Sequence, residues 1–142
     1  MKPWRVVLDT NVVVAAMRSD QGAFYQILML LGGNVFEMCL TVSLAMEYEA
    51  ATMRLVRETP LTRRDIGDVL DYLCSQANRH KVHFLWRPFL SDPDDDMVLE
   101  AAVASGAKHI VTHNTRDFAG VEKFGIRVLK PGAFLTAARR RK

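Results

Sequence analysis

Apolar residues along this chain alternate between short unbroken runs and longer stretches with helical spacing. Val6-Val-Leu8 is a run of the kind that forms a strand buried on both faces. Residues 22–31 have helical periodicity that Gly32-Gly33 should end, and Phe36 to Thr41 predicts a second strand. A helix is expected from Leu44 to Val56. A third helix should open on a capping box formed by Thr62 and Asp65, carry Ile66, Val69, Leu70, Leu73 and Cys74 on one stripe, and run to about Arg79. Val82 to Trp86 reads as a third strand. A helix from Asp94 to Ser105 ends at Gly106, His109 to Thr112 and Ile126 to Leu129 predict two more strands, and Pro131 opens a last short helix. Thr115 to Gly125 is the least regular stretch. Short Val- and Ile-rich strands separated by helices predict an α/β fold: a three-layer α/β/α sandwich around a mostly parallel sheet of four or five strands.

A chain of 142 residues is expected to make one domain, residues 1–142, with a basic tail at about 137–142. No apolar run approaches the roughly 18–20 residues of a membrane span, so no membrane partner is expected. The first residues enter a candidate strand without a signal-like apolar segment, which predicts a cytoplasmic protein. Cys39 and Cys74 fall on apolar positions and are read as buried free thiols. Seven of the 19 bases follow Glu122 and no acid does, so the preceding residues hold 12 bases against all 16 acids. An acidic body with a basic end allows Arg139-Arg-Arg-Lys142 to contact a polyanion, or to be no more than a frayed terminus.

Acidic residues recur at four stations: Asp9 ending the first strand, Glu47 on a helix, the cluster Asp92-Pro-Asp-Asp-Asp96, and Asp117 beyond the fourth strand. Three of these lie where a strand stops and a helix or loop begins, the place where open α/β sheets build their sites. Asp92 as N-cap and Pro93 at the first helical position explain the start of a helix, but not three further adjacent carboxylates. Their crowding suggests a site for a hard divalent cation. An EF-hand is excluded, because Met97 stands where its glycine is needed and Val103 where its glutamate is needed. Glu47 and Glu49 lie about 200° apart on one helix, so at most one of them faces such a site. His113 is the histidine nearest to it, and Asn11 and Thr10 can hydrogen-bond beside Asp9. Asp9-Thr-Asn11 lacks the second aspartate of haloacid-dehalogenase-type phosphatases.

Four segments together resemble the PIN-domain family of metal-dependent ribonucleases, which includes the VapC-like toxins of bacterial toxin–antitoxin pairs. They are Val7-Leu-Asp-Thr-Asn-Val12, Ser43-Leu-Ala-Met-Glu-Tyr-Glu49, Asp92 to Ala102, and Ile110-Val-Thr-His-Asn-Thr-Arg-Asp-Phe118. The resemblance makes Asp9, Glu47 and Asp95 catalytic, metal-holding acids and Thr112 the threonine that ends the fourth strand. Many members follow that threonine with x-Asp. Here Asn114 occupies the position, so its carbonyl can hold metal and Asp117 is taken as the fourth catalytic, metal-holding carboxylate. Asn11, Thr112, Asp92 and Arg116 are secondary site candidates. The resemblance further implies Mg²⁺ or Mn²⁺ as cofactor, RNA as substrate, a cognate antitoxin and a homodimer, with the helices Phe24–Leu31 and Leu44–Val56 as candidate partner surfaces. The alternatives are an inactive RNA- or partner-binding module, and a phosphatase-like metal hydrolase.

Overall fold

The computed structural model describes residues 3–18, 23–31, 33, 35–80 and 89–141. Strands β1 (Trp4–Leu8), β2 (Phe36–Leu40), β3 (Asn78–Arg79), β4 (His109–Val111) and β5 (Arg127–Leu129) form one sheet in the order β3-β2-β1-β4-β5. Every adjacent pair is parallel. Among the described residues, seven helices supply the crossovers and the cover: α1 (Thr10–Arg18), α2 (Ala23–Met29), α3 (Val42–Met53), α4 (Leu55–Glu58), α5 (Arg63–Gln76), α6 (Pro93–Ser105) and α7 (Pro131–Arg141). This is the expected three-layer sandwich. Val6, Val7 and Leu8 are wholly buried, as a central parallel strand with helices on both faces requires.

The chain builds outward from β1 to β2 and β3, then returns to add β4 and β5 on the opposite edge. The strand order therefore reverses between β1 and β4, whose registers pair Val6 with His109 and Leu8 with Val111. Their carboxyl ends open side by side at the point where such sheets leave a crevice.

Local chemistry sets the helix ends. Thr62 and Asp65 form the predicted capping box, and Asp92 caps α6 by accepting from the Asp94 N–H at 2.9 Å, with Pro93 in the first turn. Gly106 ends α6 at φ 71°, a left-handed conformation that residues with a Cβ disfavour. In the core, the Phe134 ring meets the edge of Phe36 with centroids 5.2 Å apart, and Trp4 stacks on His109 at 4.6 Å. Cys39 is buried, Cys74 is half-buried, and neither forms a disulfide. No helix among the described residues is long and apolar enough to cross a membrane.

Several expected boundaries differ. The helix predicted to reach Arg79 stops at Gln76, Ala77 turns extended, and Asn78–Arg79 pairs with β2 as β3. The strand expected at Val82–Trp86 lies outside the described residues. The single helix expected over Leu44–Val56 is α3 followed by the short α4, with the break at Arg54. α7 runs to Arg141, buries Phe134, Leu135 and Ala138, and places Arg139 to donate a hydrogen bond to the Gln26 side chain on α2. Among the described side chains of the two helices proposed as partner surfaces, Ile27, Leu28, Leu31, Leu44 and Tyr48 are buried in the core, while Met29 and Met46 are exposed.

Candidate active site

Asp9 follows β1 directly and is only 7% exposed. Its backbone N–H donates to the Val111 carbonyl at 2.9 Å, so β4 fixes its place as firmly as β1 does. One carboxylate oxygen accepts from the Thr10 N–H at 2.8 Å, and the other accepts from the Thr112 hydroxyl at 2.6 Å. The Thr112 oxygen in turn accepts from the Asn114 N–H at 3.1 Å, and the Asn11 side chain spans the gap to accept from the His113 N–H at 3.4 Å. Asn11 and Thr112 thus tie the two strand ends together around Asp9.

Burial pushes the Asp9 carboxyl above its ordinary range. The hydrogen bonds from Thr112 and Thr10 pull against that shift, while the nearby Asp117 charge adds to it. Since the Thr112 hydroxyl favours the ionised form, Thr112→Val is expected to raise the Asp9 pKa further. The acid limb of a pH–rate profile should then move to higher pH with little change at its plateau. An acid limb left where it was would show that the hydroxyl does not tune this carboxylate.

Asp95 reaches the same place from the first turn of α6. Its pKa rises to about 7, first through burial and then through repulsion by Asp9, Asp92, Asp117 and Asp94. Glu47 comes from α3 and is also raised, by burial and then by Asp94, with Arg54 opposing. Its orientation is set by its neighbour Tyr48, which is 1% exposed and donates its hydroxyl hydrogen bond to the Leu8 carbonyl. Asp117 stands on a 3₁₀ turn, Thr115–Phe118, that is anchored by buried Phe118. Glu49 faces away into a groove between α3 and α5.

Asp9, Glu47, Asp95, Asp117 and Asn114 line one open cleft of about 510 Å³, together with Asp92 and Asn11. Arg116 lines an adjoining hollow instead, beside Asp92, Asp95 and Asp117. Asp96 is a correction to the view that the whole aspartate run crowds a cation. It turns into the core, 1% exposed, and its carboxylate accepts from the Leu90 N–H at 2.9 Å. Two basic residues that line the cleft were missed from the sequence, Arg18 and Arg54. Arg54 stands seven residues after Glu47, which is close to two helical turns, and that spacing could have revealed it. Arg18 pairs with Glu58, a contact no local spacing announces.

Among the described residues, no three His, Cys, Asp or Glu side chains stand close enough together to hold a metal ion as they are placed. The donor types nevertheless fit a hard divalent cation: carboxylate and amide oxygens from four separate segments, with carboxyls raised first by burial and then by neighbouring carboxylates. The sign of that repulsion can be checked without substrate. In the metal-free chain, folded Asp95 keeps its proton up to about 7, whereas in the unfolded chain it loses it near 3.8. The folded state therefore binds the extra proton in that window, and stability is lost as pH rises through it. Thermal melts in EDTA should show Tm falling over this range and a flatter profile for Asp95→Asn. A wild-type Tm that rises instead would contradict the raised pKa.

The parallel sheet, with an acid-rich cleft at its reversal of strand order, defines an α/β protein of the open, three-layer class. The chain belongs to the PIN-domain family, whose model, described as "PIN domain", matches residues 5–116. That span includes Asp9, Glu47, Asp95 and Asn114 and stops one residue short of Asp117. Among solved structures, the fold is similar to a chain of VapBC2 from Rickettsia felis, crystallised bound to a DNA fragment from their promoter. The TM-score is 0.58 at 18% identity, covering 87% of this chain and 96% of that one. No curated protein matches the chain in sequence.

Proposed function

We propose that this protein is an endoribonuclease dependent on Mg²⁺ or Mn²⁺, and that it is the toxin of a type II toxin–antitoxin pair. The observation that carries the reading is the placement of buried Asp9 and up-shifted Asp95 at one cleft, where burial first and then the Asp9 charge raise the Asp95 carboxyl. Membership of the PIN-domain family and the fold shared with a VapBC2 chain support it. A cognate antitoxin, a homodimer and a cytoplasmic location follow from the same reading, with residues 1–142 acting as one domain.

A cleft this acidic repels a phosphodiester unless cations intervene. Bound Mg²⁺ or Mn²⁺ would neutralise the scissile phosphate and acidify a water. Asp9 and Asp95 would be the central ligands, and Glu47, Asp117 and the Asn114 carbonyl would complete the set or orient water. The hydrogen bonds from Thr112 and Thr10 favour the ionised form of Asp9 against the effect of burial and hold its carboxylate in place. Water adds its oxygen to phosphorus, the bond to the leaving sugar oxygen breaks, and that oxygen takes a proton, so no side chain serves as covalent nucleophile. Arg54, which lines the cleft, would hold a flanking phosphate.

The test is cleavage of a mixed single-stranded RNA pool with Mg²⁺, Mn²⁺ or EDTA. Cutting that requires the divalent ion supports the nuclease. RNA bound but never cut would favour a binding module, a reading that Asn114 in the cleft makes specific. Hydrolysis of a small phosphomonoester in place of RNA would make the protein a phosphatase.

A further inference from the structure

Next to the acidic cleft is a hollow of about 350 Å³ that shares Asp92, Asp95 and Asp117 with it and is walled on its far side by Phe89, Arg116 and Ala119. Its size lies at the lower end of the roughly 300–1,000 Å³ typical of small-ligand clefts. Phe89 is half-buried and held in place. The Phe124 ring meets it with centroids 5.2 Å apart and planes inclined by 65°, and the Lys123 ammonium sits 4.5 Å from its centroid. A fixed aromatic wall, a guanidinium and carboxylate acceptors therefore share one small space beside the carboxylates assigned to the scissile phosphate. That combination matches the needs of an unstacked nucleobase, which has a ring face to cover, a carbonyl or ring nitrogen to accept from arginine, and often an amine to donate.

We propose that this hollow seats the nucleobase adjoining the scissile phosphate, with Phe89 as its stacking wall, Arg116 as donor to its acceptor edge and Asp92 as acceptor from its exocyclic amine. The proposal rests on the RNA-cutting reading and adds to it a subsite for one base. Asp95 and Asp117 face both spaces and are committed to the cation, which leaves Asp92 as the acceptor. Adenine, cytosine and guanine carry an exocyclic amine and uracil does not, so uracil is disfavoured at this position.

Two substitutions test the hollow without altering a carboxylate. Ala119→Leu fills it, at an exposed residue whose φ of −58° and ψ of 134° suit any side chain. Phe89→Ala removes the wall, and its fold is checked by Tm. Binding is read in an Asp9→Asn background with a short single-stranded RNA carrying 2-aminopurine, a fluorescent base whose emission reports stacking. Base preference is read from fragment ends when the otherwise wild-type chains cut a randomised RNA. Both variants are expected to bind roughly 5- to 100-fold more weakly, the range set by loss of one base–aromatic stack. The fluorescence change should be lost, and uracil should no longer be depleted beside the cut. Variants that match their parents in affinity, fluorescence and fragment ends would overturn the subsite alone. A parent chain that binds no RNA would overturn the RNA reading and the subsite with it.

Discussion

Asp9→Asn is expected to lower RNA cutting by about 10²–10³-fold or more, the scale seen when a preorganised charge-stabilising group is removed, while the fold is kept. The asparagine has nearly the same shape, so it can still accept from the Thr10 N–H and meet the Thr112 oxygen. The negative charge that the cation requires is gone. The same charge is held at 7% exposure and is repelled by Asp117 and Asp95, so its removal should leave Tm unchanged or raise it. The combination is diagnostic, because a variant that lost activity by unfolding would lose Tm as well. Identically purified wild-type and mutant chains, assayed on one RNA pool with Mg²⁺ or Mn²⁺ and melted side by side, decide the matter. Wild-type cutting by a folded Asp9→Asn chain would remove Asp9 from the catalytic centre.

The second large effect concerns stability and lies far from the cleft. Phe134 is fully buried on α7 and touches Phe36 on β2, Trp4 on β1 and His109 on β4. Truncating such a ring typically costs about 3–5 kcal/mol through lost contacts and the cavity left behind. Against a usual total of about 5–15 kcal/mol, that is a large fraction of what holds a domain of this size folded. Urea denaturation should show Phe134→Ala shifted to a much lower midpoint. Arg140→Ala, at an exposed position on the same helix, should stay within about 0.5 kcal/mol of wild type. A loss below about 1 kcal/mol for Phe134→Ala would mean that α7 does not unfold with the sheet. The family match ends at residue 116, so this variant also tests whether the segment beyond it is integral to the fold.

Where the sequence announced an element, it did so through burial. β1, β2 and β4 bring apolar side chains to a core covered on both faces, so their composition marks them within a residue or two. β3 is two polar residues joined to β2 through backbone pairing, and backbone pairing leaves no trace in side-chain periodicity. Its neighbour α5 ended early for the same reason: nothing apolar marks the passage from Gln76 to Asn78. The end of α7 was ambiguous because Arg139-Arg-Arg-Lys142 reads as solvent-seeking charge, while the residues that hold the helix, Phe134, Leu135 and Ala138, lie one to two turns earlier. Within the site, position after a strand brought Asp9 and Asp117 under suspicion, the aspartate run drew attention to residues 92–96, and the PIN-family resemblance picked out Glu47 and Asp95; all four acids line the cleft. Asp96 shows the limit of that logic, since adjacent aspartates on a helix point about 100° apart and only the fold decides which ones meet. Tyr48 and Arg18 matter through contacts across 40 residues each, which local spacing cannot encode.

The strand order also has a consequence for the chain as it is made. Asp9 emerges early, but its backbone is held by Val111 and its carboxylate by Thr112, about a hundred residues later. Until β4 slots in beside β1, one edge of the central strand is open and the first acid has neither of these partners. Asp117 follows only a few residues after that closure. A growing polypeptide still on the ribosome therefore cannot assemble the cleft piecemeal. Whatever chemistry the site performs has to wait until the chain has been made through Asp117 and β4 has joined β1.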